Sequence, residues 1–576
     1  MASLENIRHS LAHLLASAVL QHDPKAKLGV GPVIENGFYY DIQFSSGFSD
    51  EHLPKLEARM RELIGENLPF ERIDATPDQA REQFKDQPFK LELIGDLEKE
   101  DASIFLYQTG TFIDLCRGGH VEKRGEIAGD ALKLTKVAVS YWRGDETKDR
   151  LIRIYGVAFG DKNDLDAYLS QMEEAEKRDH RKVGRELDLF TFSDLVGSGL
   201  PLWTPRGTVM RQELDAFVWS LRSKYGYERV AIPHITKKDL YEKSGHWSKF
   251  GDELFRIQTR EGKEYAMKPM NCPHHTQIFD RHPHSYRQMP QRYAETTAVY
   301  RDEQSGELGG LTRVLSITQD DSHVFCRHAQ VKEEFFRIWD IVDTFYGSFG
   351  FKLRVRLSFH DPKTPEKYLG TPDVWKTAED ALREIAKERG ADSFEALGEA
   401  ALYGPKLDFM AKDSIGREHQ VATIQLDMLQ PERFDLTCVN EKGEKERIVM
   451  IHCTVMGSIE RFTAILLEHT GGALPLFVSP LQAQVLPVKD EQAQYAENIY
   501  KTLKEKGVRV ECVSADNLGK RIRAAKVMKV PYVIVVGEKE MSSNTVTLEH
   551  RDHGKEEGLT LEALTEKMLS EIASHK

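Results

Sequence analysis

Apolar positions fall into distinct regimes along the chain, and each predicts a different structure. Through 7–19 they recur at helical spacing, so a helix is expected there, with His9 and His13 four apart on one face. Short alternating runs follow, among them GFYYDIQF and LIRIYGVAF, which read as strands of a mixed N-terminal domain, 1–163. Residues 164–186 are highly charged, with apolar positions at Leu165, Tyr168, Leu169 and Met172 and a polar second half. They predict a solvent-exposed helix linking two domains.

From 187 to 477 the pattern is that of a large α+β domain. It has strand-like runs (KLRVRLSF, LDFMAK, QVATIQLDML) and a long amphipathic helix over 208–224. The last stretch, 478–576, alternates strand and helix: AQVLPV, VRVECV and YVIVVG are separated by helices near 491–505 and 518–529. This predicts a small α/β domain with a largely parallel sheet. It carries no glycine-rich phosphate motif, so a binding or packing role suits it better than a nucleotide site. The expected fold class is therefore α+β and multidomain.

Composition changes this picture little. A chain of 576 residues exceeds one core, and 40% hydrophobic with 30% charged residues is ordinary for a globular protein. No run approaches the ~20 apolar residues needed to span a bilayer, so no membrane partner is expected. The N-terminus lacks a signal-peptide pattern. Six scattered cysteines suggest reduced thiols or metal ligands, and a cytoplasmic location. The net charge of -13 argues against a general nucleic-acid coat but leaves room for a local basic patch.

Candidate chemistry concentrates in four central segments: Met270-Asn271-Cys272-Pro273-His274-His275; Tyr300-Arg301-Asp302-Glu303, running on through Arg313 to Gln319-Asp320-Asp321-Ser322-His323; Tyr403-Gly404-Pro405-Lys406; and His452-Cys453 followed by Gly457-Ser458-Ile459-Glu460-Arg461-Phe462. Arg301 and Arg461 are candidate phosphate clamps, because a guanidinium is a permanently charged fork of donors. A lone arginine is more often a surface ion pair. Cys272, His323 and His452 offer a thiolate and two imidazoles, a Zn²⁺ set with one open position. They lie too far apart for spacing alone to separate a metal site from buried core residues.

Read together, these segments resemble motifs of the class II aminoacyl-tRNA synthetases. Tyr300-Arg301-Asp302-Glu303 through His323 looks like motif 2, Gly457 to Phe462 like motif 3, and the 208–224 helix ending at Pro233 like the dimer-building motif 1. With Asn271-Cys272-Pro273 and Ile451-His452, the pattern is similar to the threonyl-tRNA synthetases over nearly the whole chain. The resemblance implies an antiparallel-sheet catalytic core, a homodimer through motif 1, and ATP with Mg²⁺, L-threonine and tRNA(Thr) as partners. It implies catalytic roles for Arg301, Arg461, Gln319 and Lys406. ATP would meet Arg301, Glu303, Arg313, Ile317, Gln420 and Arg461; threonine would meet Met270, Arg301, Gln319, Asp321, Tyr403 and Gln425. One zinc ion per subunit would sit on Cys272, His323 and His452. In the C-terminal α/β domain, Arg523, Lys539 and Glu540 resemble anticodon-reading positions.

The N-terminal domain adds a second candidate site. His9 and His13, with Cys116 and His120 in Asp114-Leu115-Cys116-Arg117-Gly118-Gly119-His120, suit a zinc site or a structural histidine pair equally on spacing. The resemblance implies a domain that hydrolyses mischarged Ser-tRNA, through His9, His13, Lys90, Asp114, Cys116 and His120. Three departures from the family pattern stand out. A ubiquitin-like domain that often precedes the His pair is expected to be absent. Ile317 stands where a phenylalanine usually stacks on adenine, and Glu549 stands where an arginine usually faces the anticodon. A regulatory paralogue, a standalone deacylase or a synthetase for proline or serine are the alternatives. The intact motif arginines and zinc ligands favour none of them.

Overall fold

The computed structural model describes residues 2–575 and divides into two compact units, Met1–Glu173 and Glu174–Lys576. In the first, the expected N-terminal helix is α1 (Leu4–His22), capped by Ser3, whose hydroxyl accepts from the Asn6 N–H at 3.1 Å. Its apolar face is buried in a core shared with Phe38, Tyr40 and Ile42 of β1 (Gly37–Gln43). The two runs read as strands are antiparallel neighbours, with Tyr39 opposite Tyr155. Helix α2 (Pro88–Lys99) carries Lys90. Strand β2 (Phe112–Leu115) carries Asp114 at the end of a separate three-stranded sheet.

The segment read as one exposed linking helix is two helices, Lys162–Lys177 and α3 (His180–Glu186). Asp179 restarts the chain as an N-cap, its carboxylate accepting from the Arg181 N–H at 2.8 Å. Helix α3 is only partly solvent-exposed, with Arg181, Lys182, Arg185 and Glu186 on the outer face. His180, Val183 and Gly184 are buried, and Val183 joins the main core with Leu187 and Leu189. The charged residues between them hid a short apolar face.

The second unit centres on an eight-stranded sheet. Its order is Glu228–Arg229, β3 (Gln291–Tyr300), β4 (Ser316–Cys326), β7 (Val449–Thr454), β6 (Glu418–Asp427), β5 (Lys406–Lys412), Lys352–Phe359 and Ser393–Leu397. The six central strands pair antiparallel, with a parallel strand at each edge. Helix α4 (Pro205–Ser223) starts three residues before the expected 208, because Thr204 caps it (Gly207 N–H to Oγ1, 3.1 Å) and Pro205 suits its first turn. Helix α5 (Cys272–Phe279) and helix α6 (Ile459–Thr470) carry the remaining central segments.

Helix α4 fastens the back of β4. Arg211 donates to Thr318 Oγ1 at 2.9 Å, and Arg222 donates to Asp320 O at 2.7 Å and Oδ2 at 3.1 Å. Asp320 is wholly buried and also accepts from the Val455 and Met456 N–H groups at 2.9 and 3.0 Å. Asp320→Ala leaves a buried guanidinium without its counter-charge and two amides unpaired. We expect it to cost about 3–5 kcal/mol, read as a lowered urea midpoint; a change under about 1 kcal/mol would contradict this account.

The C-terminal sheet is mixed rather than largely parallel. Ala483–Pro487 pairs in parallel with Val510–Cys512 and Tyr532–Val536, but Val546–His550 and Gly554–Leu559 add antiparallel. Of the two added strands, one follows a helix of only six residues, Glu538–Ser543, and the other a tight turn, both too short for the crossover that a parallel strand needs. Among the described residues, no helix is long and apolar enough to cross a membrane.

Candidate functional site

Strand register builds the central site. His323 lies opposite His452, His452 opposite Gln425, and Gln425 opposite Lys406, so four strands lay these side chains in one row across the sheet. Two residues along, Asp321, Thr454, Thr423 and Asp408 form a second row. Because side chains alternate along a strand, both rows and Gln319 and Ile317 share one face, opposite the face pinned by α4. Cys272 opens α5 above this floor and completes a buried trio with His323 and His452, the ligand atoms all lying within 4.8 Å of one another.

The protons around this trio are assigned by outer partners. His452 Nε2 lies 2.9 Å from Asp427 Oδ2, so it donates there and turns a lone pair on Nδ1 inward. Asp427 is itself held by the Leu429 and Gln430 N–H groups at 2.8 and 2.9 Å. His323 Nδ1 lies 2.7 Å from His275 Nδ1; the Glu295 carboxylate 3.9 Å from His275 Nε2 favours the proton there, so His275 Nδ1 accepts from His323 and the His323 Nε2 lone pair faces His452 Nδ1 at 3.1 Å. Two inward lone pairs at that distance repel unless a cation lies between them. A tetrahedral zinc with bonds of ~2.0–2.1 Å would set its two nitrogens about 3.3 Å apart. The donor set therefore fits a divalent metal. Burial pushes the Cys272 thiol well above its usual range and the His323 imidazole well below its own. The imidazole is thus neutral, and a bound metal would displace the thiol proton.

Around the trio, Asn271 Nδ2 donates to Asp321 Oδ2 at 3.0 Å, and the buried Tyr403 ring lies 5.1 Å from His452. Arg301 reaches Met270 Sδ at 3.4 Å and crosses the Phe250 ring at 5.1 Å, with its Nε buried and unpartnered. Gln425 Nε2 is likewise buried without a partner. Such orphan donors beside a cleft are ready for an anionic or carbonyl ligand. Next to them opens a cleft of about 460 Å³, lined by Arg301, Glu303, Arg313, Ile317, Gln319, Gln420 and Arg461. Gly457 holds φ +78°, and Ser458 caps α6 by accepting from the Arg461 N–H at 3.0 Å, which sets Arg461 at the helix N-terminus.

Some of the expected ligand residues have partners within the protein. Arg313 pairs with Glu303 at 2.5 Å. Gln420 Nε2 donates to Asp408 Oδ1 at 2.9 Å while its carbonyl accepts from Arg356 at 2.7 Å. Lys406 Nζ lies 3.4 Å from Asp408. In the C-terminal region, Arg523 is exposed on the helix Leu518–Val527, while Lys539 pairs with Glu557 at 3.3 Å. Both Glu540 oxygens are engaged by its own domain, with the Gly537 N–H and Thr547 hydroxyl at 2.9 Å. Glu549 pairs with Lys526 at 2.7 Å. Sequence reasoning missed Asp427 and His246 and gave His275 no role within its quoted segment; His246 places its Nε2 3.7 Å from Cys272 Sγ. Asp427 stands in an apolar run and the two histidines among polar neighbours, so no local signal marked them.

The N-terminal candidate residues also converge. Cys116 Sγ lies 3.3 Å from His9 Nε2 and 3.2 Å from His120 Nε2, and Ser10 Oγ lies 3.2 Å from His120 Nδ1. Beside them, Asp114 takes Lys90 Nζ at 2.5 Å and the Tyr40 hydroxyl at 2.5 Å, and Lys90 donates to Tyr40 at 2.9 Å. His9, His13, Tyr40, Lys90, Asp114 and Cys116 border one cavity of about 560 Å³. Burial raises Cys116 to about 11 and lowers His120 to about 2, with His13 also well below its usual value. At neutral pH this is a thiol among neutral imidazoles, poorly suited to a thiolate nucleophile; imidazoles held this far down are weak bases, so their lone pairs are suited to orienting a water rather than to taking its proton. Tyr40 was not foreseen, since it sits in a strand with two other aromatic residues.

Three family descriptions match the chain: the tRNA synthetase class II core domain (G, H, P, S and T) over 255–470, an anticodon binding domain over 482–571, and the threonyl and alanyl tRNA synthetase second additional domain over 104–155. Threonine–tRNA ligase of Gloeobacter violaceus is 46% identical over 568 residues, 97% of this chain and 90% of that protein. The Porphyromonas gingivalis ligase is 47% identical over 554 residues, covering 95% and 84%. Among solved structures, the RNA binding domain of threonyl-tRNA synthetase from Cryptosporidium parvum superposes with a TM-score of 0.65 at 38% identity, over 68% of this chain and 98% of that one.

Proposed function

The chain belongs to the threonine–tRNA ligase family, and from this premise we propose which of its residues carry each step. The enzyme activates L-threonine with ATP, joins it to tRNA, and hydrolyses mischarged tRNA in its N-terminal domain. The observation that carries the residue assignment is the floor of two side-chain rows beneath Cys272, which gathers distant segments at one site.

Arg301 binds the threonine carboxylate and the α-phosphate. Its orphaned Nε and half-buried guanidinium make it a preorganised anion site. Arg461, at a helix N-terminus across the cleft, faces the other side of the nucleotide. Gln319, Asp321, Tyr403 and Gln425 line the amino-acid pocket, and Met270 packs on Arg301. Arg313 and Glu303 hold the nucleotide end of the loop, and Mg²⁺ accompanies ATP. Cys272, His323 and His452 would hold zinc, which when bound supplies an open ligand position suited to the threonine amino and hydroxyl groups. Valine lacks the hydroxyl and is rejected. Serine keeps it and lacks one methyl, worth only ~1–3 kcal/mol, so it is admitted at a low level. That is why the chain carries the second site. There His9, His13, Lys90, Asp114, Cys116 and His120 position water for ester hydrolysis. Arg523 and Lys539 face the anticodon. The chain acts in the cytosol, as a dimer through α4.

The test is ATP–pyrophosphate exchange with threonine, serine and valine in turn. Strong exchange with threonine, less with serine and none with valine is expected. No exchange with any of them would overturn the assignment. Ile317 offers aliphatic contact where an aromatic ring would stack. Ile317→Phe is therefore expected to lower the ATP KM roughly two- to tenfold, the scale of an aromatic contact of ~0.5–1.5 kcal/mol. An equal or higher KM in the variant would refute this.

A further inference from the structure

Helix α3 holds a buried histidine with no role in the steps above. His180 is 5% exposed, and both of its ring nitrogens are engaged. Nδ1 lies 2.7 Å from Glu468 Oε1 on α6, and Nε2 lies 3.1 Å from the backbone nitrogen of Leu311. A carboxylate accepts, so Nδ1 carries the proton; a backbone N–H donates, so Nε2 carries the lone pair. Only one neutral tautomer satisfies both contacts. Asp179, His180 and Glu468 have the composition of a metal site. However, the Nε2 lone pair is spent on Leu311, Asp179 is spent on Arg181, and Glu468 Oε2 pairs with Arg417 at 2.7 Å. The cluster is a fastening.

What it fastens is the tip of the loop between β3 and β4. The loop closes on itself through the Gly309 N–H to Arg313 O (3.2 Å) and the Thr312 N–H to Gly309 O (2.9 Å), with Leu311 fully buried. Gly310 holds φ +58°, and a Cβ there would stand 2.4 Å from His180 Nε2, so the close approach needs glycine. One residue beyond this turn, Arg313 enters the cleft and meets Glu303.

We propose that His180 is a positioning residue for ATP binding: by accepting from Leu311 and donating to Glu468 it locks the β3–β4 loop to α6, so that Arg313 and Arg461 face each other across the nucleotide cleft. This rests on the ligase reading above. The threonine pocket is built from β4, β6, β7, α5 and Tyr403, with Arg301 at the base of the loop where β3 ends, and the strand register that sets it does not pass through this contact.

The experiment is steady-state ATP–pyrophosphate exchange for wild type, His180→Ala, His180→Gln, Gly310→Ala and the His180→Ala/Gly310→Ala double variant, with thermal melting and metal content measured alongside. His180→Ala orphans a buried N–H, and a tenfold rise in ATP KM, order of magnitude, is expected. The threonine KM should stay within about twofold, and metal content should be unchanged. His180→Gln keeps a donor and an acceptor and should recover most of the loss. The effect of Gly310→Ala should shrink in the His180→Ala background, because the nearest atom it collides with is gone while Arg181 Cγ at 2.9 Å and the positive φ remain. The inference is overturned by an unchanged ATP KM in a folded His180→Ala, by equal rises in both KM values, or by fully multiplicative double-variant effects. Wild type that fails to exchange with threonine overturns the ligase assignment itself, and this inference with it; wild type that exchanges while the variants match it overturns only the role of His180.

Discussion

Cys272→Ala is expected to lose bound zinc and to reduce threonine-dependent ATP–pyrophosphate exchange by about 10³-fold or more, the scale of removing a preorganised electrostatic contact. The thiol is one of three buried donors around a gap that two imidazole lone pairs already face at 3.1 Å. Removing it leaves two ligands, too few for a stable tetrahedral site. The fold should survive, because the change empties little volume and the outer partners Asp427 and His275 remain. The measurement pairs elemental analysis of the purified protein with exchange assays. Retained zinc, or exchange unchanged after zinc is lost, would refute the assignment. Wild type stripped by a chelator should behave like the variant and recover when zinc is restored.

The second large effect lies in the other unit. Asp114→Asn should cut hydrolysis of Ser-tRNA(Thr) by roughly 10²–10³-fold, the range for a lost general acid–base or electrostatic contact. Asp114 gathers Lys90, Tyr40 and, at 4.0 Å, His13 around one carboxylate. The amide has nearly the same shape but leaves Lys90 as an unbalanced buried cation, so the three groups lose their common anchor. Threonine activation should be unchanged, because the first unit has its own core and the activation residues lie in the second. Deacylation of preformed Ser-tRNA and accumulation of mischarged product report the loss. Deacylation at the wild-type rate would remove Asp114 from the site. A metal content of one ion per chain in wild type, lost with Cys272→Ala, would place the only tightly held ion in the central site.

Much of this was legible in the chain. The histidine pair four apart in an apolar-periodic helix became one face of α1, because helical spacing fixes which side chains stack. Gly457-Ser458 entered only as part of a motif; its positive φ and its N-cap of α6 are local features that the structure supplied. The run from Ser316 to His323 was readable as chemistry but not as geometry. Thr318 and Asp320 are as polar as Gln319 and Asp321, so nothing in the run says which alternate set faces the ligand. The exposed linking helix was misread because α3 buries a face of only a few residues beneath a charged surface.

The sequence by itself carried most of the elements and, through its motifs taken together, the family; it named candidate members of both sites, although Cys272, His323 and His452 lie too far apart for spacing to join them. Tertiary structure decided what those residues can do. Register placed His323 opposite His452 and Asp427 behind it, packing of α3 brought His180 to Leu311, and pairing spent Gln420, Glu540 and Glu549 on neighbours. The reason is physical: local propensity is written within a few residues, whereas a lone pair's direction and a carboxylate's partner depend on chain segments that only folding brings together.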